Sequence, residues 1–189
     1  RTWGIIMRGY AALGVEGVSK MRNAGAVIRT AHAFNASFAF MVGSKFSRTE
    51  VIQSDTSKAV EQLPFYQFDS AKELRLPHGC QLVGIELTEN AHLLPSFRHP
   101  RMAAYVLGSE RMGLSDEMLS QCDHVIQIPT RFSLNLAVAG ALVLYDRLQS
   151  MERFAPRPLM PGGPTEQDEV PPFGDPLWVR KHKKRGASS

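Results

Sequence analysis

Cysteine is scarce in this chain, which limits the classes of protein that fit it. Cys80 and Cys122 are the two cysteines among 189 residues, and they lack the short spacing of a metal-ligating pair. We expect two unpaired thiols in a reducing environment and predict a cytoplasmic protein. A chain of this length buries about two thirds of its unfolded surface, so its stability requires neither a disulfide nor a metal.

Long apolar runs are missing as well. No stretch of about 18 consecutive apolar residues occurs, so we predict no membrane-spanning helix. Residues 1–4 are not joined to an apolar segment long enough for a secretory signal. With 43% hydrophobic and 21% charged residues, the composition is typical of a globular protein in water.

The common nucleotide and zinc fingerprints are absent. Residues 9–14 have the glycine spacing of a P-loop, but Val15 and Glu16 stand where that loop needs Lys and then Ser or Thr. No G-x-G-x-x-G sequence follows a predicted strand, and no pair of His or Cys residues has zinc-ligand spacing. We therefore expect neither a dinucleotide-dependent enzyme nor a metal site.

Positive charge is concentrated at the end of the chain. The net charge is +4, but the last twelve residues carry +5, so the rest sums to about −1. Such a segment is either a solvated tail or an arm that grips RNA, with Trp178 stacking on a base or docking on the body. The candidate RNA-binding residues of this tail are Arg180, Lys181, Lys183, Lys184 and Arg185.

Apolar strand-like runs alternate with helix-like segments along the first 150 residues. We predict strands over residues 10–15, 37–42, 81–87, 103–107 and 124–128. Helices are predicted over residues 23–34, 57–63, 116–120 (with Ser115 as N-cap) and 134–151. This alternation, with strands that are apolar throughout, predicts an α/β fold with a mostly parallel sheet flanked by helices.

A proline- and glycine-rich segment marks a domain boundary. Seven prolines fall within residues 155–176, and this composition is typical of an extended linker. We therefore predict a domain over residues 1–153, a linker over 154–177 and the basic tail over 178–189.

Three segments carry candidate chemistry, each beside the end of a predicted strand. In the first, Asn23 is suited to capping the following helix, and Arg29 lies about one and a half turns further on. In the second, Glu110 stands between Gly108 and Gly113. The third brings Ser133 and Asn135 to the start of a long apolar helix. Taken singly, these segments are also compatible with a solvated arginine, an ordinary strand-to-turn transition and simple helix capping.

Taken together, the three segments resemble the signature motifs of the SpoU branch of the SPOUT RNA methyltransferases, the TrmH-like enzymes. Residues 23–31 match N-x-G-x-x-x-R-T-A, residues 107–113 match L-G-x-E-x-x-G, and residues 128–135 match I-P-x-x-x-S-L-N. The resemblance covers residues 10–150, and the ordered set is far more specific than any one motif. One departure is Asn35, which stands where the family usually has Gly and puts the local turn in question.

The resemblance implies a fold, a cofactor and an assembly. The fold is the SPOUT sheet with a C-terminal deep trefoil knot, an exception to the rule that chains are unknotted. The implied cofactor is S-adenosylmethionine, held by the knot, and the implied assembly is a homodimer in which Arg29 completes the partner's site. The implied reaction is methylation of a ribose 2′-hydroxyl of tRNA or rRNA. We expect no counterpart here of the additional N-terminal RNA-binding domain that many relatives have.

The same resemblance assigns roles to individual residues. Arg29 is the implied catalytic and RNA-contacting residue; because guanidinium rarely deprotonates, we favour a phosphate anchor over a base. Asn23, Ser133 and Asn135 would position the ribose and the loops, and Glu110 would organise the cofactor loop or Arg29. The implied cofactor-binding residues are Leu87, Leu107, Gly108, Gly113, Ile128, Pro129 and Leu134.

Two alternatives of other kinds fit the same motifs. One is a catalytically silent RNA-binding module of this fold, which the intact set Arg29, Glu110, Ser133 and Asn135 argues against. The other is an enzyme that methylates a base instead of a ribose, which analysis of the product nucleosides distinguishes.

Overall fold

A seven-stranded parallel sheet forms the centre of the fold. In the computed structural model, residues 9–54, 62–151, 157–158 and 161–163 are described, and residues 8–151 form one compact unit. The strand order is β3-β2-β1-β6-β4-β7-β5, and every neighbouring pair is parallel. The strands are β1 (Tyr10–Glu16), β2 (Phe38–Val42), β3 (Phe65–Phe68), β4 (Gln81–Ile85), β5 (His92–Leu93), β6 (Met102–Leu107) and β7 (His124–Gln127).

Four α-helices are present in the described part of the chain. They are α1 (Met21–Ala33), α2 (Arg48–Ser54), α3 (Asp116–Gln121) and α4 (Leu136–Met151). Short 3-10 turns follow β3 at Ala71–Glu73 and β5 at Leu94–Ser96. The mostly parallel α/β sheet predicted from the sequence is confirmed, whereas the deep trefoil knot stays a prediction.

The central strands β1 and β6 are covered on both faces, which explains their nearly continuous apolar sequence. Leu13 and Tyr105, which lie opposite one another in the register, are both fully buried. Gly14 leaves room for the ring of Phe40, since a Cβ there would lie 2.4 Å from that ring. Gly140 on α4 similarly allows close packing on Leu13, 2.9 Å from the position of an added Cβ. The sheet and α4 therefore form one close-packed core.

A buried arginine joins α4 to the amino ends of β1 and β6. Arg147 is 3% exposed and donates hydrogen bonds to the carbonyl oxygens of Pro100 (2.5 Å), Arg101 (2.8 Å) and Tyr10 (3.2 Å), and to the hydroxyl of Tyr105 (3.2 Å). Each carbonyl would cost about 1–3 kcal/mol if left buried without a donor. Arg147 therefore fixes the helix against the sheet at the edge where the strands begin.

Most of the predicted elements are confirmed, with boundaries shifted by at most two residues. Ser115 caps α3 as predicted, with its side chain accepting a hydrogen bond from the Met118 N–H. The prediction that Asn23 caps α1 is wrong, because the helix already begins at Met21 and Lys20 is at the N-cap. The structure adds β3, β5 and α2, which were not predicted. The predicted helix over residues 57–63 falls almost entirely outside the described residues.

Asn35 resolves the question raised by its departure from the family pattern. Its φ of 54° lies in the left-handed region, and Asn35 is the only non-glycine residue described with a positive φ. Asparagine is among the residues that tolerate this conformation, because its short polar side chain bonds locally. The turn between α1 and β2 is therefore formed without glycine.

Candidate active site

A cavity of about 500 Å³ opens at the edge of the sheet where the central strands end. The register sets Val15, Leu107, Ile85 and Ile126 side by side across β1, β6, β4 and β7, so the following loops converge. Parallel α/β sheets bind ligands at this edge. The predicted site residues that line the cavity are Leu87, Leu107, Gly108, Glu110, Gly113, Ile128, Ser133, Leu134 and Asn135.

The loop after β6 forms one wall and is closed by hydrogen bonds between its own backbone groups. Ser109 and Gly113 exchange backbone hydrogen bonds of 3.1 and 2.9 Å. Gly113 has a φ of 67°, a conformation that favours glycine. Gly108 packs so tightly that a Cβ there would lie 2.1 Å from the carbonyl carbon of Gly113. Both glycines are therefore required by the shape of this wall.

The first and second motifs are joined directly by a hydrogen bond. Asn23, 6% exposed in the first turn of α1, donates from Nδ2 to Oε1 of Glu110 at 2.5 Å. The two residues are 87 positions apart in the sequence. Asn23 therefore supports the cavity wall from behind instead of capping its helix, and Glu110 is oriented by it.

Two carboxylates that the sequence analysis missed hold the same wall in place. Glu86, which follows β4, accepts from the Leu114 N–H through Oε2 (2.8 Å) and from the Leu87 N–H through Oε1 (2.9 Å). Glu16, at the end of β1, accepts from both the N–H (2.8 Å) and the hydroxyl (2.7 Å) of Ser115. Together they fix Leu114 and Ser115 to the ends of β4 and β1, the two strands on either side of β6.

The loop after β7 forms the opposite wall. Thr130 donates from its N–H to the Ile128 carbonyl (2.8 Å) and from its hydroxyl to the Phe132 carbonyl (2.9 Å), which closes a tight turn. Asn135 is the N-cap of α4: its Oδ1 accepts from the Ala137 N–H at 3.0 Å. The third motif thus presents Ser133 and Asn135 to the cavity at a helix start, and helix capping is one role of Asn135.

Arg29 is separate from this cavity in the single chain. It is an exposed residue of α1 and does not line the cavity, and neither does Pro129, although its neighbours Ile128 and Thr130 do. The predicted tail residues Arg180, Lys181, Lys183, Lys184 and Arg185 fall outside the described residues. Their predicted roles, like those of the other site residues, stay predictions.

The described residues contain no cluster of three or more His, Cys, Asp or Glu side chains able to hold a metal ion. No described helix is long and apolar enough to cross a membrane. Both cysteines are free, and burial raises the pKa of the Cys122 thiol to about 12, so it is protonated at neutral pH.

The fold, the cavity and the ordered motifs define the SpoU class of protein, and comparison with known families agrees. Residues 10–145 match the model of the SpoU rRNA methylase family, and the chain belongs to that family. The resemblance inferred from the three motifs is therefore confirmed.

Individual relatives are similar at a moderate level. The tRNA (guanosine(18)-2′-O)-methyltransferase of Escherichia coli K12 is 31% identical over 139 residues, which cover 70% of this chain and 60% of that protein. The 23S rRNA (guanosine-2′-O-)-methyltransferase RlmB of Coxiella burnetii is 30% identical over 149 residues, covering 75% and 59%. This chain thus spans about three fifths of the length of these two relatives.

Solved structures support the fold. The SpoU methyltransferase AviRb from Streptomyces viridochromogenes, in complex with the cofactor AdoMet, superposes with a TM-score of 0.67 at 22% identity, covering 75% of this chain and 58% of that one. The TrmH/SpoU tRNA-modifying enzyme of A. aeolicus gives 0.64 at 20% identity, covering 74% of each chain.

Proposed function

We propose that this protein binds S-adenosylmethionine in the cavity at the carboxyl edge and methylates a ribose 2′-hydroxyl of tRNA or rRNA. The observation that carries the proposal is that the second and third motifs line one cavity, and that the hydrogen bond from Asn23 to Glu110 joins the first motif to its wall. Relatives named as 2′-O-methyltransferases of tRNA and rRNA support the reaction and the substrate class.

The residues around the cavity fit this cofactor. A volume of about 500 Å³ lies within the range of small-molecule sites, which is roughly 300–1,000 Å³. Gly108 and Gly113 bring backbone close to the ligand, and the side chains of Ile85, Leu107 and Leu134 supply apolar walls. We assign cofactor contact to Leu87, Leu107, Gly108, Gly113, Ile128 and Leu134, and place Pro129 in a supporting position.

The bound cofactor would supply a methyl group already activated on a sulfonium, so the protein needs to align the nucleophile and help remove its proton. Ser133 and Asn135 line the cavity, where they can orient the ribose. Glu110 is held by Asn23 and keeps the wall of the cavity in place. Arg29 would grip the neighbouring phosphate through its two-pronged guanidinium and so orient the 2′-hydroxyl.

Arg29 can take that role only if two chains combine. In one chain it lies away from the cavity, on an exposed part of α1. An apolar groove between α1 and α4 is lined by Thr30, Phe34, Val138, Leu142 and Tyr145, and the last three are exposed large apolar residues. A second copy covering this groove would bury those side chains. We therefore propose a homodimer whose partner supplies Arg29.

The remaining assignments follow from the substrate. The basic tail, with Arg180, Lys181, Lys183, Lys184 and Arg185, would add phosphate contacts to the RNA, and such contacts are strongly salt-dependent. The cytoplasm, where tRNA and rRNA are available, is the proposed location.

Calorimetric titration with S-adenosylmethionine and with S-adenosylhomocysteine tests the first step of the proposal. We expect saturable binding of both ligands by the full chain. Absence of heat with either ligand would contradict the cofactor assignment and leave only the silent RNA-binding module.

A further inference from the structure

The mouth of the cavity carries the two most exposed large apolar side chains in the described part of the chain. Met112 is 85% exposed and Phe132 is 75% exposed. Neither lines the cavity, although Arg111, Gly113, Thr130 and Ser133 beside them do. The two side chains therefore lie on the rim, where they can meet a ligand that extends beyond the cavity.

Both rim residues are carried on backbone that is held in place. Met112 lies within the Ser109–Gly113 turn, and its own N–H donates to the Ser109 hydroxyl at 3.1 Å. The carbonyl of Phe132 accepts from the Thr130 hydroxyl at 2.9 Å. Exposing a large apolar side chain on a fixed turn gains nothing for folding, because burial is what stabilises such groups. An aromatic ring carried on such a backbone does, however, suit binding, since the backbone loses little entropy when the ring is covered.

A cation accompanies each rim residue in the sequence and in space. Arg111 precedes Met112 and Arg131 precedes Phe132, while Lys20 lines the cavity from the side of α1. Within the described residues, none of these three cations takes part in an ion pair. Apolar side chains alternating with free cations suit a ligand that is both anionic and flat-faced, and a nucleotide in single-stranded RNA has both properties.

We propose that Phe132 is a substrate-binding residue that stacks on a base of the RNA at the mouth of the cavity, and that Arg131 contacts an adjoining phosphate. This assignment rests on the proposed function, which places the reacting ribose at the same mouth. The cations on the rim favour RNA over a second copy of the chain as the occupant, because two facing copies would bring these like charges together. The apolar groove between α1 and α4 has no charged lining residue and suits a second copy better. It also explains why the ring is on the rim and not in the cavity wall.

Fluorescence anisotropy with a short fluorescein-labelled single-stranded RNA tests the stacking contact. Phe132→Leu keeps the apolar bulk but removes the aromatic face, and we expect RNA binding to weaken about 10-fold or more. Phe132→Tyr keeps the ring and should retain wild-type affinity. Tyr66→Leu is the matched control, because Tyr66 is another exposed aromatic residue and lies on β3 away from the cavity. Arg131→Gln should lower the slope of log affinity against log salt by about 1.

Parallel measurements separate the competing explanations. S-adenosylhomocysteine binding and sedimentation should be unchanged in Phe132→Leu. Unchanged RNA affinity would overturn the inference. An equal loss of cofactor binding would place the ring in the cavity wall, and loss of dimer would place it between copies; either result would also overturn it. If the wild-type protein binds RNA but transfers no methyl group, the proposed function fails, while the RNA affinities still decide the role of Phe132.

Discussion

At the scale of single residues, the cavity depends on side chains that bond to backbone far away in the sequence. Glu86 bonds to the Leu114 N–H across 28 positions, and Glu16 bonds to Ser115 across 99 positions. Each carboxylate accepts hydrogen bonds from N–H or hydroxyl groups of the wall after β6. Hydrogen bonds to a charged acceptor are stronger than those between neutral groups. Glu86 also lines the cavity, whereas Glu16 supports the cavity only through that wall and is therefore a positioning residue.

Gly113 is the residue at which the shape of this wall is most easily tested. A Cβ at position 113 would lie 2.4 Å from Oε2 of Glu86, and the φ of 67° adds strain for any other residue. Gly113→Ala should therefore weaken S-adenosylmethionine binding about 10-fold or more in a calorimetric titration. Gly43→Ala is the control, because Gly43 has a φ of 61° but its nearest contact would be 3.9 Å away. Equal effects of both changes on cofactor affinity would mean that general strain, and not the wall, is responsible.

Arg29 is expected to affect turnover without affecting the cofactor. Replacing Arg29 with Ala should lower the rate of methyl transfer about 100-fold or more, since it removes the charge that orients the nucleophile. The affinity for S-adenosylmethionine should stay close to wild type, because Arg29 does not line the cavity of its own chain. Arg22→Ala, another exposed position on α1, serves as control. If Arg29→Ala lost cofactor binding and turnover equally, its assignment as an RNA-orienting residue would be wrong.

The sequence revealed the cavity residues within motifs but not the residues that support them. Gly108, Gly113, Ser133 and Asn135 stand in short ordered patterns that are readable along the chain. Glu86 has no local signal, because its bonding partner is defined only once β4 and β6 pair. The same reason explains why the sequence predicts Asn23 as a helix cap: the capping pattern is local, whereas Glu110 comes near it only in the folded sheet.

At the scale of elements, burial determined which ones could be predicted. The central strands are recognisable from their continuous apolar sequence, and the predicted bounds of β1 and β6 agree with the structure to within one residue. The edge strands β3 and β5 are four and two residues long, and β5 is exposed, so neither has a distinct pattern. Helix α2 is missing from the sequence prediction although its start carries a local signal. Ser47 and Glu50 form a capping box, with the Ser47 N–H donating to Glu50 Oε2 (2.8 Å) and the Glu50 N–H to Ser47 Oγ (3.3 Å).

A buried histidine links α4 to the sheet and should make stability depend on pH. His99 contacts the Tyr105 hydroxyl through Nδ1 (2.6 Å) and Asp146 through Nε2 (2.9 Å). Burial lowers the pKa of His99 below its usual 6.5, against a smaller opposing effect of Asp146. Because Asp146 can only accept when it is ionised, Nε2–H donates to it and Nδ1 accepts from the Tyr105 hydroxyl. The ring is therefore neutral at pH 7.

The sign of the effect follows from proton uptake. Below about pH 6.5 His99 becomes protonated in the unfolded chain, whereas in the folded protein it stays neutral to a lower pH. Acidification therefore favours unfolding. We expect the free energy of unfolding, measured by urea titration, to fall between pH 7.5 and 5.5 in the wild type and to fall less steeply in His99→Gln. His78→Gln, in an exposed turn, should keep the wild-type slope. An unchanged slope in His99→Gln would show that other groups cause the pH dependence.

At the scale of the whole molecule, the proposed site needs two chains, since Arg29 lies away from the cavity of its own chain. The membership in the SpoU rRNA methylase family rests on residues 10–145 and was recognisable from three ordered motifs. The dimer was implied only by resemblance, because the apolar residues Val138, Leu142 and Tyr145 are indistinguishable in the sequence from core residues of the same helix. Their exposure became visible only in the folded chain.

Mixing two inactive variants tests whether the site is shared between chains. We expect Arg29→Ala and Asn135→Ala to be inactive separately but to recover about a quarter of wild-type methyl transfer after equal mixing and subunit exchange. In a mixed dimer with shared sites, one site has both an intact cavity and an intact Arg29. If each site belonged to one chain, every site would carry a defect, so activity no higher than the two variants alone would contradict the shared site.

The most direct test of the central claim is to identify the atom that receives the methyl group. The wild-type chain would be incubated with tRNA or rRNA and S-adenosylmethionine carrying a deuterated methyl group, and the RNA would then be digested to nucleosides for mass spectrometry. We predict that the label appears on the ribose of one nucleoside, as a 2′-O-methyl group. Label on a base, or no label in either RNA, would contradict the account.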